Sequence, residues 1–165
     1  MDTQNTISPD EMFIDILAEN MPAAIANVVG NPENPQLHGT VKFFDTNIGG
    51  VLVEAEIYGL PNAFKLYSSN FYAFHIHEKG NCKVNFDKTG NHYNPGNTLH
   101  PEHAGDMPPL LGNQGFAYSI FYTQRFAIDE IIGRSVIIHS QPDDFVTQPS
   151  GNSGTKIGCG VIERV

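Results

Sequence analysis

The stretch "GVLVEAEIYGL", Gly50 to Leu60, alternates with period two: Val51, Val53, Ala55 and Ile57 fall on one side and Leu52, Glu54, Glu56 and Tyr58 on the other. That period builds a strand with one buried face, and a helix cannot present it as a single face. "GTVKFFD", "FYAFHIHE", "GFAYSIFYTQRF", "SVIIHS" and "KIGCGVIERV" share the texture, and most are separated by clusters of Gly, Pro, Asn or Asp. Sixteen glycines and eleven prolines in 165 residues supply the turns that many short strands need. The pattern predicts one all-β domain, a sandwich or barrel, beginning near Ala23. No internal repeat is present.

Two segments break the strand texture. Residues 78–114 are rich in Gly, Asn, Pro and His, and residues 140–155 are polar with small side chains. Loops of that length in a compact domain usually carry function or are disordered. At the N-terminus, "SPDEMFIDILAEN" predicts a short helix: Ser8 caps it, Pro9 takes the first helical position, and Glu11 completes a capping box. Met12, Phe13, Ile16 and Leu17 share one face, and Pro22 provides a stop. Residues 1–22 therefore read as an extension packed on a domain of residues 23–165, with a partner-binding helix as the alternative.

Charge narrows the function classes. The net charge of −9 and the absence of a Lys/Arg cluster argue against a nucleic-acid partner. An acidic body repels anions unless a local positive patch intervenes. No stretch is long and apolar enough to span a bilayer. The first twenty residues lack Lys and Arg, and Asp15 and Glu19 interrupt their apolar run, so they do not read as a secretory signal. A cytoplasmic location is the expectation.

Six of the seven histidines lie between residues 75 and 139. His75 and His77, two apart on a strand, point to one face, while Phe74 and Ile76 point to the other, into a core. His92, His100, His103 and Asp106 fall within fifteen residues, and three imidazoles with a carboxylate suit a tetrahedral zinc site. His139 ends the strand "SVIIHS" and opens the second polar loop. An all-imidazole set suits copper in both oxidation states. His38 has no potential ligand nearby and reads as an ordinary histidine. Only Cys82 and Cys159 are available, which excludes a cysteine zinc site. They are either two free buried thiols or a disulfide closing a long loop, worth roughly 4 kcal/mol by chain entropy.

The motifs "FHIHEKGNC", "GNHYNP", "HAGDMP", "GRSVIIHSQPDD" and "GNSGTKIGCGVI", in this order, resemble the copper/zinc superoxide dismutases from about Ala23 to Val165. The short gap between His77 and Cys82 resembles bacterial members more than animal ones. The resemblance implies an eight-stranded Greek-key β-barrel with two long functional loops. It implies copper on His75, His77, His92 and His139, and zinc on His92, His100, His103 and Asp106, with His92 shared. It implies a Cys82–Cys159 disulfide, and an Asp143 that hydrogen-bonds one copper ligand and one zinc ligand. The implied activity converts superoxide, the substrate, to dioxygen and hydrogen peroxide, with His92 and Lys156 as catalytic residues. A homodimer is expected; Val161 and Ile162 would suit either its interface or the core.

Three departures from the family pattern stand out. Lys156 occupies the place of an arginine, replacing a planar fork with a point charge. Only "PE" separates His100 from His103, shorter than in most members. The loop after Asp144 is short and lacks steering lysines and glutamates, so a weak salt dependence of rate is expected. A non-catalytic copper-binding or metal-buffering protein on the same fold is the alternative that Lys156 leaves open. A cupin-type enzyme is disfavoured by the terminal "GCGVI" and the cysteine pair.

Overall fold

The computed structural model describes residues 8–62 and 69–165. Eight strands run β1 (Ala24–Gly30), β2 (His38–Asp45), β3 (Val51–Tyr58), β4 (Phe71–His77), β5 (Asp106–Leu111), β6 (Ala117–Thr123), β7 (Ser135–His139) and β8 (Lys156–Arg164). All pairings are antiparallel, in the order β5-β4-β7-β8-β1-β2-β3-β6. The sheet curls until β5 and β6 face each other across a seam, giving a nearly closed barrel.

The alternation read in β3 decides its facing. Val51, Val53, Ala55 and Ile57 enter the barrel with Val41 and Phe43 from β2 and Ala24, Ala26 and Val28 from β1. Strands β4 and β7 differ, because both of their faces are buried. Phe74, Ile76, Val136 and Ile138 fill the barrel. On the outer face His75, His77, Ile137 and His139 lie beneath the long β4–β5 loop and the β7–β8 loop. Phe86 from the first loop packs on Ile137 and Cys159. The Cys82–Cys159 disulfide, with an S–S distance of 2.01 Å, ties that loop to β8.

The structure corrects several details. Strand β5 lies inside residues 78–114, which read as loop. Its Pro108 and Pro109 together oppose the single residue Ala73, a bulge between the Tyr72–Leu110 and Phe74–Met107 pairs. Proline is tolerated there because β5 is an edge strand, with no ladder on its outer side. The segment "GFAYSIFYTQRF" is strand only over Ala117–Thr123. A short helix, α2 (Ile128–Ile131), buries Ile128 and Ile131 below it. Ile162 is fully buried in the core, so it is not open to a partner; Val161 is half-buried.

The N-terminal helix, α1, spans Pro9–Glu19. Glu11 accepts from the Ser8 N–H, as the expected capping box requires. The helix ends at Glu19, with Asn20 as its extended C-cap, and Ala23 then donates to the Phe43 carbonyl. Met12, Phe13, Ile16 and Leu17 do share a face, which packs on Phe44, Leu52 and Tyr122 outside the barrel. No helix among the described residues is long and apolar enough to cross a membrane.

Candidate metal centre

The sheet brings three histidines together directly. His75 and His77 leave the outer face of β4, and His139 ends the neighbouring β7. The fourth arrives by loop closure. His92 bridges back against His77, while the Tyr93 N–H donates to the Ile76 carbonyl and the Glu78 N–H donates to the Asn91 carbonyl. His75, His77, His92 and His139 place one ligand atom each within 4.8 Å of one another. His92, His100, His103 and Asp106 form a second such set, so His92 belongs to both. His38 belongs to neither. Its Nδ1 bonds the Gln36 carbonyl and its ring stacks on Tyr58 at the barrel surface.

The partners of each ring assign its lone pair. His75 donates from Nε2 to Asp143 at 2.8 Å, leaving Nδ1 buried and without a partner among the described residues. His77 donates from Nδ1 to the Gly90 carbonyl, and His139 from Nδ1 to the Gly154 carbonyl. Their Nε2 atoms then face each other as two acceptors 3.3 Å apart. His92 Nε2 is buried and equally unpartnered. Four lone pairs converging in a buried place repel each other unless a cation joins them.

The second set repeats the argument. His100 donates from Nε2 to Asp143 Oδ1 at 2.8 Å, so its Nδ1 lone pair meets Asp106 Oδ2 at 3.0 Å. His92 Nδ1 lies 2.7 Å from Asp106 Oδ1 and 3.4 Å from His103 Nδ1. A carboxylate and three imidazole nitrogens in this arrangement fit a tetrahedral divalent cation such as zinc. The donor chemistry of both sets therefore fits the two metals.

Electrostatics prepares the rings for metal rather than protons. Burial pushes the His75 imidazole down to about 4, with the Asp143 hydrogen bond opposing. Burial, with the nearby His75 and His92 rings, pushes His139 down to about 3. His77 is driven well below its usual value by burial and by His139, and burial also lowers His103. Metal ligation requires the neutral ring, so little proton competition remains at His75, His77 and His139. Burial works to raise Asp143, but bonds from His75, the Phe145 amide and His100 outweigh it and hold the carboxyl at about 2.

Asp143 thus spans the two sets, one oxygen on His75 and the other on His100. Gly151 lets it do so. With φ +67°, its missing Cβ would sit 2.0 Å from Asp143 Oδ1. Lys156 pairs with His139 at the start of β8. Its ammonium bonds Thr89 Oγ1 at 2.8 Å and the carbonyls of Gly90 and Phe86 at 3.3 and 3.4 Å. Burial lowers its pKa, against the pull of Asp87. Lys156, His77, His92 and His139 all line one open cavity of about 630 Å³, with Glu78 on the same wall.

Several contributors carried no signal in the sequence. Thr89 holds the ammonium, and the Gly90 and Gly154 carbonyls orient two rings through backbone atoms. Arg125 donates to the carbonyls of Pro101 and His103 and pairs with Glu102, so it braces the short "PE" link from the barrel side. An arginine at a strand end is visible in the sequence, but its target is fixed only by the fold.

The comparisons agree with this geometry. Superoxide dismutase [Cu-Zn] 2 of Aquifex aeolicus is 36% identical over 140 residues, covering 75% of this chain and 78% of its own. The copper chaperone for superoxide dismutase of Homo sapiens is 29% identical over 159 residues, covering 88% of this chain and 54% of its own. The crystal structure of the clock protein EA4 superposes with a TM-score of 0.74 at 27% identity, covering 87% of this chain and 96% of that one. The family model described as copper/zinc superoxide dismutase matches residues 37–162, and with it the whole histidine cluster: the chain belongs to the copper/zinc superoxide dismutase family.

Proposed function

We propose that the protein is a superoxide dismutase, converting two superoxide ions and two protons to dioxygen and hydrogen peroxide. Superoxide is the substrate of family members. The observation that carries the reading is the pair of donor sets joined at His92, with their lone pairs facing inward. His75, His77, His92 and His139 would hold copper; His92, His100, His103 and Asp106 would hold zinc. Copper supplies the one-electron exchange with superoxide, and zinc supplies charge and order without redox change.

The chain's own residues supply the rest. Lys156 lends positive charge to a cavity in an acidic protein and draws the anion toward His77 and His139. Its three N–H donors face three acceptors on the first loop, so it acts as a fixed point charge rather than as a fork for the substrate. His92 Nε2 faces the copper set and is the atom that holds a proton for the peroxide product. Asp143 and the Gly90 and Gly154 carbonyls fix which nitrogen of their rings faces inward.

The experiment is metal loading followed by pulse radiolysis. One copper and one zinc per chain, with catalytic loss of superoxide, is expected. His92→Ala should abolish turnover and weaken both metals. The same Lys156 geometry favours a second reading, a copper-binding protein without turnover, because the ammonium is engaged with the loop. Full occupancy of both metals without superoxide loss would select that reading. We also carry the homodimer as a proposal, to be read by sedimentation; a monomer at all concentrations would overturn it.

A further inference from the structure

Where β5 and β6 face each other without a ladder, the barrel wall opens into a groove of about 430 Å³. It shares no described lining residue with the cavity beside His77 and His139. Its walls are apolar: Pro108 and Pro109 from β5, Phe121 and Tyr122 from β6, and Phe145 from the second loop. Pockets of this size and character, with one or two fixed polar groups, are the usual form of small-molecule sites.

Phe145 singles this groove out. It is 47% exposed, and its φ is +60°. A bulky residue is held in the left-handed region only when its surroundings impose it, and such residues cluster at ligand clamps. Here its N–H donates to Asp143 Oδ1 at 2.7 Å, while Asp144 takes the next two amides. The loop thus keeps an aromatic ring out of the core and against the groove.

Arg125 sets the charge. Its bonds to Pro101, His103 and Glu102 use three of its five N–H donors, leaving two with no partner among the described residues. It is the one cation among the described lining residues. The one carboxylate among the described wall residues, Asp106, is committed to His92, His100 and the His103 amide. A cationic ligand would be repelled by the guanidinium, and a neutral one would accept from it without the added strength of an ionised partner. We propose that this groove binds an aromatic monocarboxylate, its ring against Phe145 and the β6 aromatics and its carboxylate on Arg125.

Three wall residues also touch the loop-borne donor set. Asp106 belongs to it, Arg125 holds the His103 carbonyl, and Phe145 reaches His100 through Asp143. A ligand in the groove and a metal on that set should therefore alter each other's affinity, equally by linkage. The linkage rests on the zinc assignment proposed above; the binding does not.

The test uses 2-naphthoate with the full-length, metal-loaded protein, read by fluorescence anisotropy. A ligand of this size should bind with a Kd of about 1 mM. The neutral 2-naphthalenemethanol should bind roughly fivefold or more weakly, as should naphthoate to Arg125→Gln. Phe145→Ala, which keeps the backbone bond to Asp143, should weaken binding, whereas Phe116→Ala, at another exposed phenylalanine, should not. Glu102→Gln should tighten it by freeing the guanidinium. No saturable binding above millimolar concentrations, or equal binding to Arg125→Gln and Phe145→Ala, overturns the site. A dimer lost in Phe145→Ala but indifferent to naphthoate would give the groove to a second copy and likewise overturn it. A zinc-chelator competition that naphthoate leaves unmoved overturns the linkage alone. Absent turnover with naphthoate binding intact would sink the dismutase reading and leave the groove.

Discussion

His75, His77 and His139 stand on strands; His92, His100 and His103 are carried by the β4–β5 loop, and Asp106 stands where that loop enters β5. The strand-borne rings have their places set by the barrel, because Phe74, Ile76, Val136 and Ile138 pin β4 and β7 from within. The loop-borne donors are placed largely by one another, through Asp106, Asp143, the Arg125 brace and the disulfide that anchors the loop's first turn. The comparison separates two ways of building a metal site. One is prepaid by hydrophobic packing; the other depends on polar bonds and a covalent tie.

Removing the tie should have the largest effect. Replacing both Cys82 and Cys159 with Ser should cost about 4 kcal/mol of unfolding free energy, by the chain entropy of the loop that the bridge closes. Hydrogen exchange should rise first in residues 82–92, while β4 and β7 stay protected. Equal loosening of loop and strands would mean that both halves of the site are held in the same way.

Asp143→Asn comes next and sharpens the comparison. His100 has Asp143 on one nitrogen and Asp106 on the other, whereas His75 is also fixed by β4. An outer partner of a ligand typically contributes ten- to a hundredfold in metal affinity, about 1.4 to 2.7 kcal/mol. The loss should fall on zinc more than on copper. Competition titrations that show equal losses, or a greater copper loss, would contradict the expectation.

The same division explains what could be read in the sequence. Strand alternation in β3, and the i, i+2 histidines of β4, come from local periodicity and met their expected places. Strand β5 was hidden because Pro108 and Pro109 argue against a strand unless it is known to lie on an edge, and edges are a property of the whole sheet. The candidate metal donors were legible as residue types, most of them in a short span. Thr89, Arg125 and the Gly90 and Gly154 carbonyls were not, since their roles depend on which distant segments the barrel brings together. Lys156 was legible as a charge, but its three loop acceptors were not.

Lys156→Ala should lower the rate about tenfold, near 1.4 kcal/mol on the barrier, and flatten its salt dependence. Lys156→Arg keeps the charge and adds donors, so its rate should match or exceed the parent's. Thr89→Val keeps the charge but removes the acceptor 2.8 Å from the ammonium, and should cost less than Lys156→Ala. Pulse radiolysis across ionic strengths would rank the three. A rate for Lys156→Ala equal to the parent's, with both metals bound, would reduce this lysine to a loop brace.

The smallest effect on the centre should come from α1. We propose that residues 1–22 are an appendage to a domain that begins near residue 23. Phe13 stacks on Tyr122 at 5.5 Å, on the opposite side of the sheet from the core. Phe13→Ala should cost about 1 kcal/mol of unfolding free energy, the scale of an aromatic pair at a partly buried site. Copper and zinc affinities should not move, because no metal donor touches the helix, and calorimetric unfolding beside metal titration would check both. Tyr122 also lines the seam groove, so the substitution has one route toward the zinc side: Tyr122 shifting against Pro108 and Pro109. A changed zinc affinity in Phe13→Ala, with copper unchanged, would show that route in use and make the helix part of the loop-borne half of the site.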